Sequence, residues 1–196
     1  MGCGQSKNKV DSILVPQKDS AFTLKYDMSS GHELGKGAFG VVIRAIVRQA
    51  TYEAPKADVA VKCVVTDKMS AREKEELDNE VGILKQLDHV AIVKCLDYFE
   101  ERKVSYIVME LVLGGELFDR IIENTHYSEK EARDVAARLL GALAYMHDLG
   151  FAHRDIKPEN LLLVDDQNDH DFKLCDFGFA SSFQGKSMNE YCGSPG

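Results

Sequence analysis

The sequence predicts an α+β protein in two parts, with a sheet-forming N-terminal part and a helical part after it. Strand-like apolar runs crowd the stretch between Tyr26 and Leu111. Two capping boxes, Ser70-Ala71-Arg72-Glu73 and Ser128-Glu129-Lys130-Glu131, open segments with helical periodicity. Gly114-Gly115 marks the break between the sheet-forming part and the helical part.

Residues 7–25 mix polar and apolar side chains without a period and read as a flexible tether. Strands are expected at His32-Glu33-Leu34, at Val41-Val42-Ile43-Arg44-Ala45 and at Val59-Ala60-Val61-Lys62-Cys63-Val64-Val65. Residues 48–58, with Pro55, form a long polar hairpin connection. The first capped helix runs to about residue 87, with Leu77, Val81, Leu84 and Leu87 as its apolar stripe. Two further strands lie around 93–99 and 104–111, and a short helix covers 116–124. The second capped helix carries Ala132, Val135, Ala136, Leu139, Leu143 and Met146 on one side, and Gly150 ends it. Residues 161–164 and 172–175 read as a short hairpin. Its connection, Asp165-Asp166-Gln167-Asn168-Asp169-His170-Asp171, is rich in carboxylates but lacks the Gly and the closing Glu of a calcium loop, so it reads as a solvated turn.

Bulk properties narrow the function classes. The 196 residues suit one medium domain or two small lobes, and 44% hydrophobic residues support a core. A net charge of −8 argues against nucleic acid, which needs clustered Lys and Arg. It mildly favours basic partners. Cys3, Cys63, Cys95, Cys175 and Cys192 are odd in number and contain no CxxC pair, the usage of reduced thiols in a cytosolic protein without a disulfide frame or zinc site. No apolar run is long enough to span a bilayer, and no apolar signal stretch opens the chain.

The first residues read as an address. Met1-Gly2-Cys3-Gly4-Gln5-Ser6 fits the N-myristoylation pattern with Gly2 as acceptor. Cys3 is placed to carry a palmitoyl chain as the second signal that a stable anchor needs. Lys7 and Lys9 can meet anionic headgroups, at about 1 kcal/mol each. The expected location is the cytoplasmic face of a membrane, or the cytosol without acylation.

The chemistry concentrates in four places. Gly35-Lys36-Gly37-Ala38-Phe39-Gly40-Val41-Val42 continues as strand, which favours a hairpin lid over phosphates rather than the strand–helix turn of a dinucleotide fold. Lys62 ends an apolar strand segment and needs a partner if its head faces inward; Glu80, on the first capped helix, is the candidate. His153-Arg154-Asp155-Ile156-Lys157-Pro158-Glu159-Asn160 is followed, sixteen residues after Asn160, by Asp176-Phe177-Gly178. Together these last two stretches supply two carboxylates, an amide and a lysine able to hold a triphosphate and two metal ions.

In order and spacing this set resembles the protein-kinase signature. Met109-Glu110-Leu111-Val112-Leu113-Gly114-Gly115-Glu116-Leu117-Phe118 and Lys173-Leu174-Cys175-Asp176-Phe177-Gly178-Phe179-Ala180 look most like the calcium/calmodulin-dependent group. The resemblance covers roughly residues 28–196. It implies a bilobal kinase-like fold, with an N-terminal lobe carrying one main helix over 26–111 and a partial helical lobe from hinge to activation segment over 112–196; ahead of it lies the flexible segment over 1–25 with the expected acyl sites.

The resemblance also implies roles. Asp155 is expected to orient the substrate hydroxyl and accept its proton, and Asn160 and Asp176 to hold magnesium. Lys157 is expected at the γ-phosphate, as in serine/threonine kinases, and the Lys62–Glu80 pair at the phosphate oxygens. Leu34, Gly35, Lys36, Gly37, Ala38, Phe39 and Gly40 form the loop over ATP. The backbones of Glu110 and Val112 meet adenine, which Val42, Ala60 and Leu162 sandwich behind a Met109 gatekeeper. Glu116 and Glu159 match acidic positions that meet an Arg upstream of the phosphoacceptor. Arg154 needs an anion, which Glu190 is placed to supply in lieu of a phosphothreonine, and Ser194 falls where a serine approaches Asp155 and Lys157.

The implied activity is ATP- and Mg2+-dependent phosphorylation of serine or threonine in basic protein sequences. Kinase domains ordinarily continue for about a hundred residues past the position of Gly196, through Ala-Pro-Glu and further helices. The chain is therefore expected to be a piece of such a kinase, weakly active or inactive alone. The alternative is a truncated nucleotide-binding or decoy module. Calcium or calmodulin control is compatible with the resemblance but is not encoded in these residues.

Overall fold

A computed structural model of the chain describes residues 16–37, 40–48, 58–123, 127–184 and 192. The chain divides into two compact units, residues 1–71 with 96–111, and residues 72–95 with 112–196. The expected α+β composition holds, with the large sheet in the first unit and the long helices in the second.

The first unit is built on an antiparallel sheet. Its strands are β1 (Tyr26–Asp27), β2 (Glu33–Gly37), β3 (Gly40–Val47), β4 (Asp58–Val65), β5 (Cys95–Glu101) and β6 (Val104–Glu110). Their order is β1-β3-β4-β6-β5, and β2 also pairs with β3. β-Branched residues are frequent in β3 and β4; β3 buries Val41 and Ala45 on one face, whereas the central β4 buries residues on both. Val59, Val61 and Cys63 on β4 join Val104, Tyr106 and Val108 on β6 in the core. Gly40 lets β3 run close to β4, because a side chain there would collide with the Cys63 carbonyl.

Residues ahead of the sheet correct one expectation. Within the tether expected over 7–25, of which residues 7–15 lie outside the described residues, the last five form a helix, α1 (Ala21–Lys25), whose N-cap Ser20 accepts a hydrogen bond from the Thr23 amide at 3.2 Å. One short turn is not stable alone. It is held by Phe22, which is 0% exposed and stacks on Tyr106 at 4.3 Å between ring centroids. Tyr26 continues into β1 and donates from its hydroxyl to Asp97 on β5 at 2.6 Å, beside the Lys25–Asp97 ion pair at 3.3 Å.

In the second unit, α2 (Ala71–Leu84) buries Leu77, Val81 and Leu84 as its stripe requires. It stops three residues short of the expected end, and Leu87 is buried from the following turn, its amide donating to the Leu84 carbonyl. The strand expected from residue 93 starts at Cys95, because the preceding main chain is already engaged: Val93 donates to the Leu174 carbonyl, and Leu174 donates to that of Ala91.

Helix α3 (Leu117–Glu123) precedes α4 (Glu129–Asp148), whose reciprocal capping box joins Ser128 and Glu131 as expected. Gly150, at φ +81°, turns the chain out of α4. The expected apolar side of α4 is only partly covered by the described residues: Met146 is buried, whereas Ala132 and Ala136 are exposed. β7 (Phe151–Ala152) pairs with β10 (Ser181–Ser182), and β8 (Leu161–Leu163) with β9 (Phe172–Leu174).

The β8–β9 connection is more than a solvated turn. Arg120 on α3 holds Asp169 at 2.7 Å, and Arg138 on α4 holds Asp171 at 2.8 Å. No helix among the described residues is long and apolar enough to cross a membrane.

Candidate active site

Three short segments of the second unit converge on Asp155. β7 delivers the chain to His153, which is 1% exposed. Its Nε2 lies 3.1 Å from the Cys175 carbonyl, and its Nδ1 faces the Asp155 amide at 3.3 Å. A neutral imidazole satisfies both, donating at one nitrogen and accepting at the other. Burial pushes His153 below its ordinary pKa and so favours that neutral form. Its ring meets the Phe177 ring edge-on at 4.8 Å, and Phe177 is itself buried. His153 thus ties the Asp155 loop to the Asp176 loop, a role that sequence reading did not assign.

Asp155 is buried, with its side chain 4% exposed and facing two donors. Lys157 Nζ lies 3.0 Å from Oδ2. Asn160 Nδ2 donates to the Asp155 backbone oxygen at 2.8 Å and to Oδ2 at 3.2 Å. The Asp155 hydrogen bond raises the Lys157 pKa, so the ammonium stays charged. A 3-10 turn over Pro158–Asn160 sets this spacing, with Pro158 at its first position and the Asn160 amide donating to the Lys157 carbonyl.

Both loops are strained. Arg154 and Asp176 adopt φ of 68° and 58°, unusual for residues with a Cβ. Arg154 Nε donates to the Phe179 carbonyl at 2.7 Å. Asn79 on α2 donates to the Ala180 carbonyl at 2.8 Å, a second contact the sequence did not signal. The adjacent Glu80 is buried, and its Oε2 and Asp176 Oδ1 both lie within 4 Å of the point where a Gly178 side chain would begin.

The first unit carries the remaining candidates. Leu34, Gly35, Lys36, Gly37 and Gly40 lie on the β2–β3 hairpin, where Gly37 pairs with Gly40. That pairing fits the hairpin lid and not a strand–helix turn. Lys62 sits on β4 opposite Val42 on one side and Ile107 on the other. Ala60 pairs with Met109 and Val59 with Glu110. In the second unit, Val112 and Leu162 are half-buried, and Glu116 and Glu159 are exposed. Gly2, Cys3, Ala38, Phe39, Glu190 and Ser194 lie outside the described residues.

The donor set suits a hard cation. Asp176 offers a carboxylate, and Asn160, with its amide nitrogen turned to Asp155, presents an amide oxygen as its acceptor. Both are oxygen ligands of the kind magnesium takes, supplied by loops that the His153–Cys175 contact holds together.

Comparison with known proteins agrees with this geometry. The protein kinase domain model matches residues 28–196. The chain is 40% identical over 192 residues to a calcium/calmodulin-dependent protein kinase type 1 of Macrobrachium nipponense, covering 97% of this chain and 52% of that protein. It is 41% identical over 175 residues to the human type 1B enzyme, covering 87% and 49%. It is 37% identical over 181 residues to a probable myosin light chain kinase of Dictyostelium discoideum, covering 91% and 44%. The chain thus spans about half the length of the curated relatives it matches. A signature extending from the β2–β3 glycines to Asp176, and a family match over residues 28–196, lead to one conclusion: the chain belongs to the protein kinase family, with its curated relatives in the calcium/calmodulin-dependent serine/threonine group.

Proposed function

We propose that the chain is the nucleotide-binding and phosphotransfer part of a serine/threonine protein kinase. The observation that carries this reading is the Asp155 carboxylate, buried and held between the Lys157 ammonium and the Asn160 amide. A carboxylate fixed in this way can align a hydroxyl and take its proton. Lys157, kept charged beside it, neutralises negative charge on the group being transferred. Asn160 and Asp176 would hold magnesium, which when bound shields the phosphates. Lys62 and the glycine hairpin bind and orient the triphosphate, and Glu80 is the proposed partner of Lys62.

Substrate choice follows from charge. Glu116 and Glu159 are exposed carboxylates, and a guanidinium upstream of the phosphoacceptor suits them. Glu190 is the proposed fixed anion for Arg154, which removes the need for an activating phosphate there. Gly2 and Cys3 are the proposed acyl sites that hold the protein at the cytoplasmic face of a membrane.

The test is transfer of labelled γ-phosphate from ATP to a serine peptide by the full-length protein that carries this chain. The wild type should label an Arg-containing peptide over an Arg-free one, and Asp155→Asn should lower the rate by at least about a hundredfold. Undiminished transfer by Asp155→Asn overturns the reading.

A further inference from the structure

We infer that Phe22 is a positioning residue for Lys62, and through Lys62 for the phosphate end of the nucleotide; the inference rests on the nucleotide-binding reading above. Phe22 lies ahead of residues 28–196, the part matched by the family model. It nevertheless occupies the middle of the aromatic cluster under the sheet. Its ring stacks on Tyr106 at 4.3 Å with 16° between planes, stacks on Tyr26 at 5.6 Å, and meets Phe99 edge-on at 5.6 Å.

The path to Lys62 is two steps long. Tyr106 on β6 lies directly opposite Cys63 on β4. Cys63 and Val61, the two neighbours of Lys62, are 0% exposed and belong to the same core as Phe22. Strand alternation then sends the Lys62 side chain to the opposite face of the sheet. The aromatic stack therefore supports, from behind, the pleat that carries the lysine. Close-packed cores pass such displacements on rather than absorb them.

The strap that brings Phe22 in is fixed at both ends of the strand order. Tyr26 and Asp27 pair with Val47 and Ile46 of β3, and the Arg48 amide donates to the Lys25 carbonyl at 2.8 Å. At the other end, Tyr26 and Lys25 both hold Asp97 of β5. Ala60, on the lysine's face, pairs with Met109, further along β4 from the Cys63–Tyr106 pair. Loss of the Phe22 ring should therefore disturb Lys62 more than the adenine contact at Ala60.

Titration calorimetry on the full-length protein tests this with two probes, magnesium ATP and adenosine. Phe22→Leu keeps an apolar side chain but loses the ring. It should weaken ATP by roughly twofold to thirtyfold, the range of coupling through a packed network. Adenosine affinity should stay unchanged. Leu24→Ala, at an exposed position on the same helix, should change neither. Equal losses for both probes, or no loss of ATP affinity in a folded Phe22→Leu protein, overturn the inference. A wild type that takes up neither probe overturns the nucleotide-binding reading itself, and this inference with it.

Discussion

Asn160 reaches Asp155 twice with one nitrogen, at the backbone oxygen and at the carboxylate. One side chain therefore fixes both the fold of the loop and the direction of its acid. Asn160→Ala should leave the buried Asp155 groups short of a donor and cost about 1–3 kcal/mol of stability. Denaturant midpoints measure that loss, and phosphotransfer should fall with it. An unchanged midpoint would remove the amide from the structural account.

Acid should loosen the second unit through His89. Its Nδ1 accepts from the Ala91 amide at 3.1 Å, and its ring stacks on Tyr145 at 5.1 Å. Burial, then the charges of Arg138 and Lys173, hold it below its ordinary pKa of 6.5. The unfolded chain therefore takes up the proton first as pH falls. The stabilisation is complete above about pH 6.5 and is lost as pH falls through the lower, folded value. Denaturation from about pH 8 to about pH 5 should show that slope, and His89→Asn should flatten it.

Thiol labelling should separate two cysteines. Cys63 is 0% exposed, and burial pushes its pKa up to about 12. Cys192 is exposed. Iodoacetamide at mildly alkaline pH should alkylate Cys192 in the folded protein and leave Cys63 untouched until denaturant is added. Mass spectrometry of the peptides reads the result, and native labelling of Cys63 would contradict the packing described.

Truncating the aromatic stack should be costly. Phe22→Ala should lower stability by about 3–5 kcal/mol. Leu24→Ala, 58% exposed two residues on, should stay within about 0.5 kcal/mol. Calorimetric unfolding of the two variants side by side tests the contrast.

The sequence disclosed the parts whose signals are local. The apolar, valine-rich run Val59–Val65 pointed to β4, and Ser128 with Glu131 to the start of α4. The Asp155, Asn160 and Asp176 set was legible because motif spacing is rigid over a few residues. The hidden parts depended on distant partners. Five residues of α1 have no period to detect, and Phe22 is buried only because Tyr106 and Phe99 come back beneath it. Asp169 and Asp171 look like surface charge until Arg120 and Arg138 are placed beside them. His153 lies inside a recognisable motif, yet its function as a link depends on the Cys175 carbonyl.

The family match begins at residue 28, but the folded unit begins earlier. Anyone trimming the gene to the matched segment would delete the ring that covers Tyr106 and leave that side chain and Phe99 facing water. Bare aromatic surface of this kind makes proteins stick to one another. An expression boundary ahead of Pro16 retains Ser20, Phe22 and Tyr26 together, and such a product should remain in solution where the shorter one precipitates.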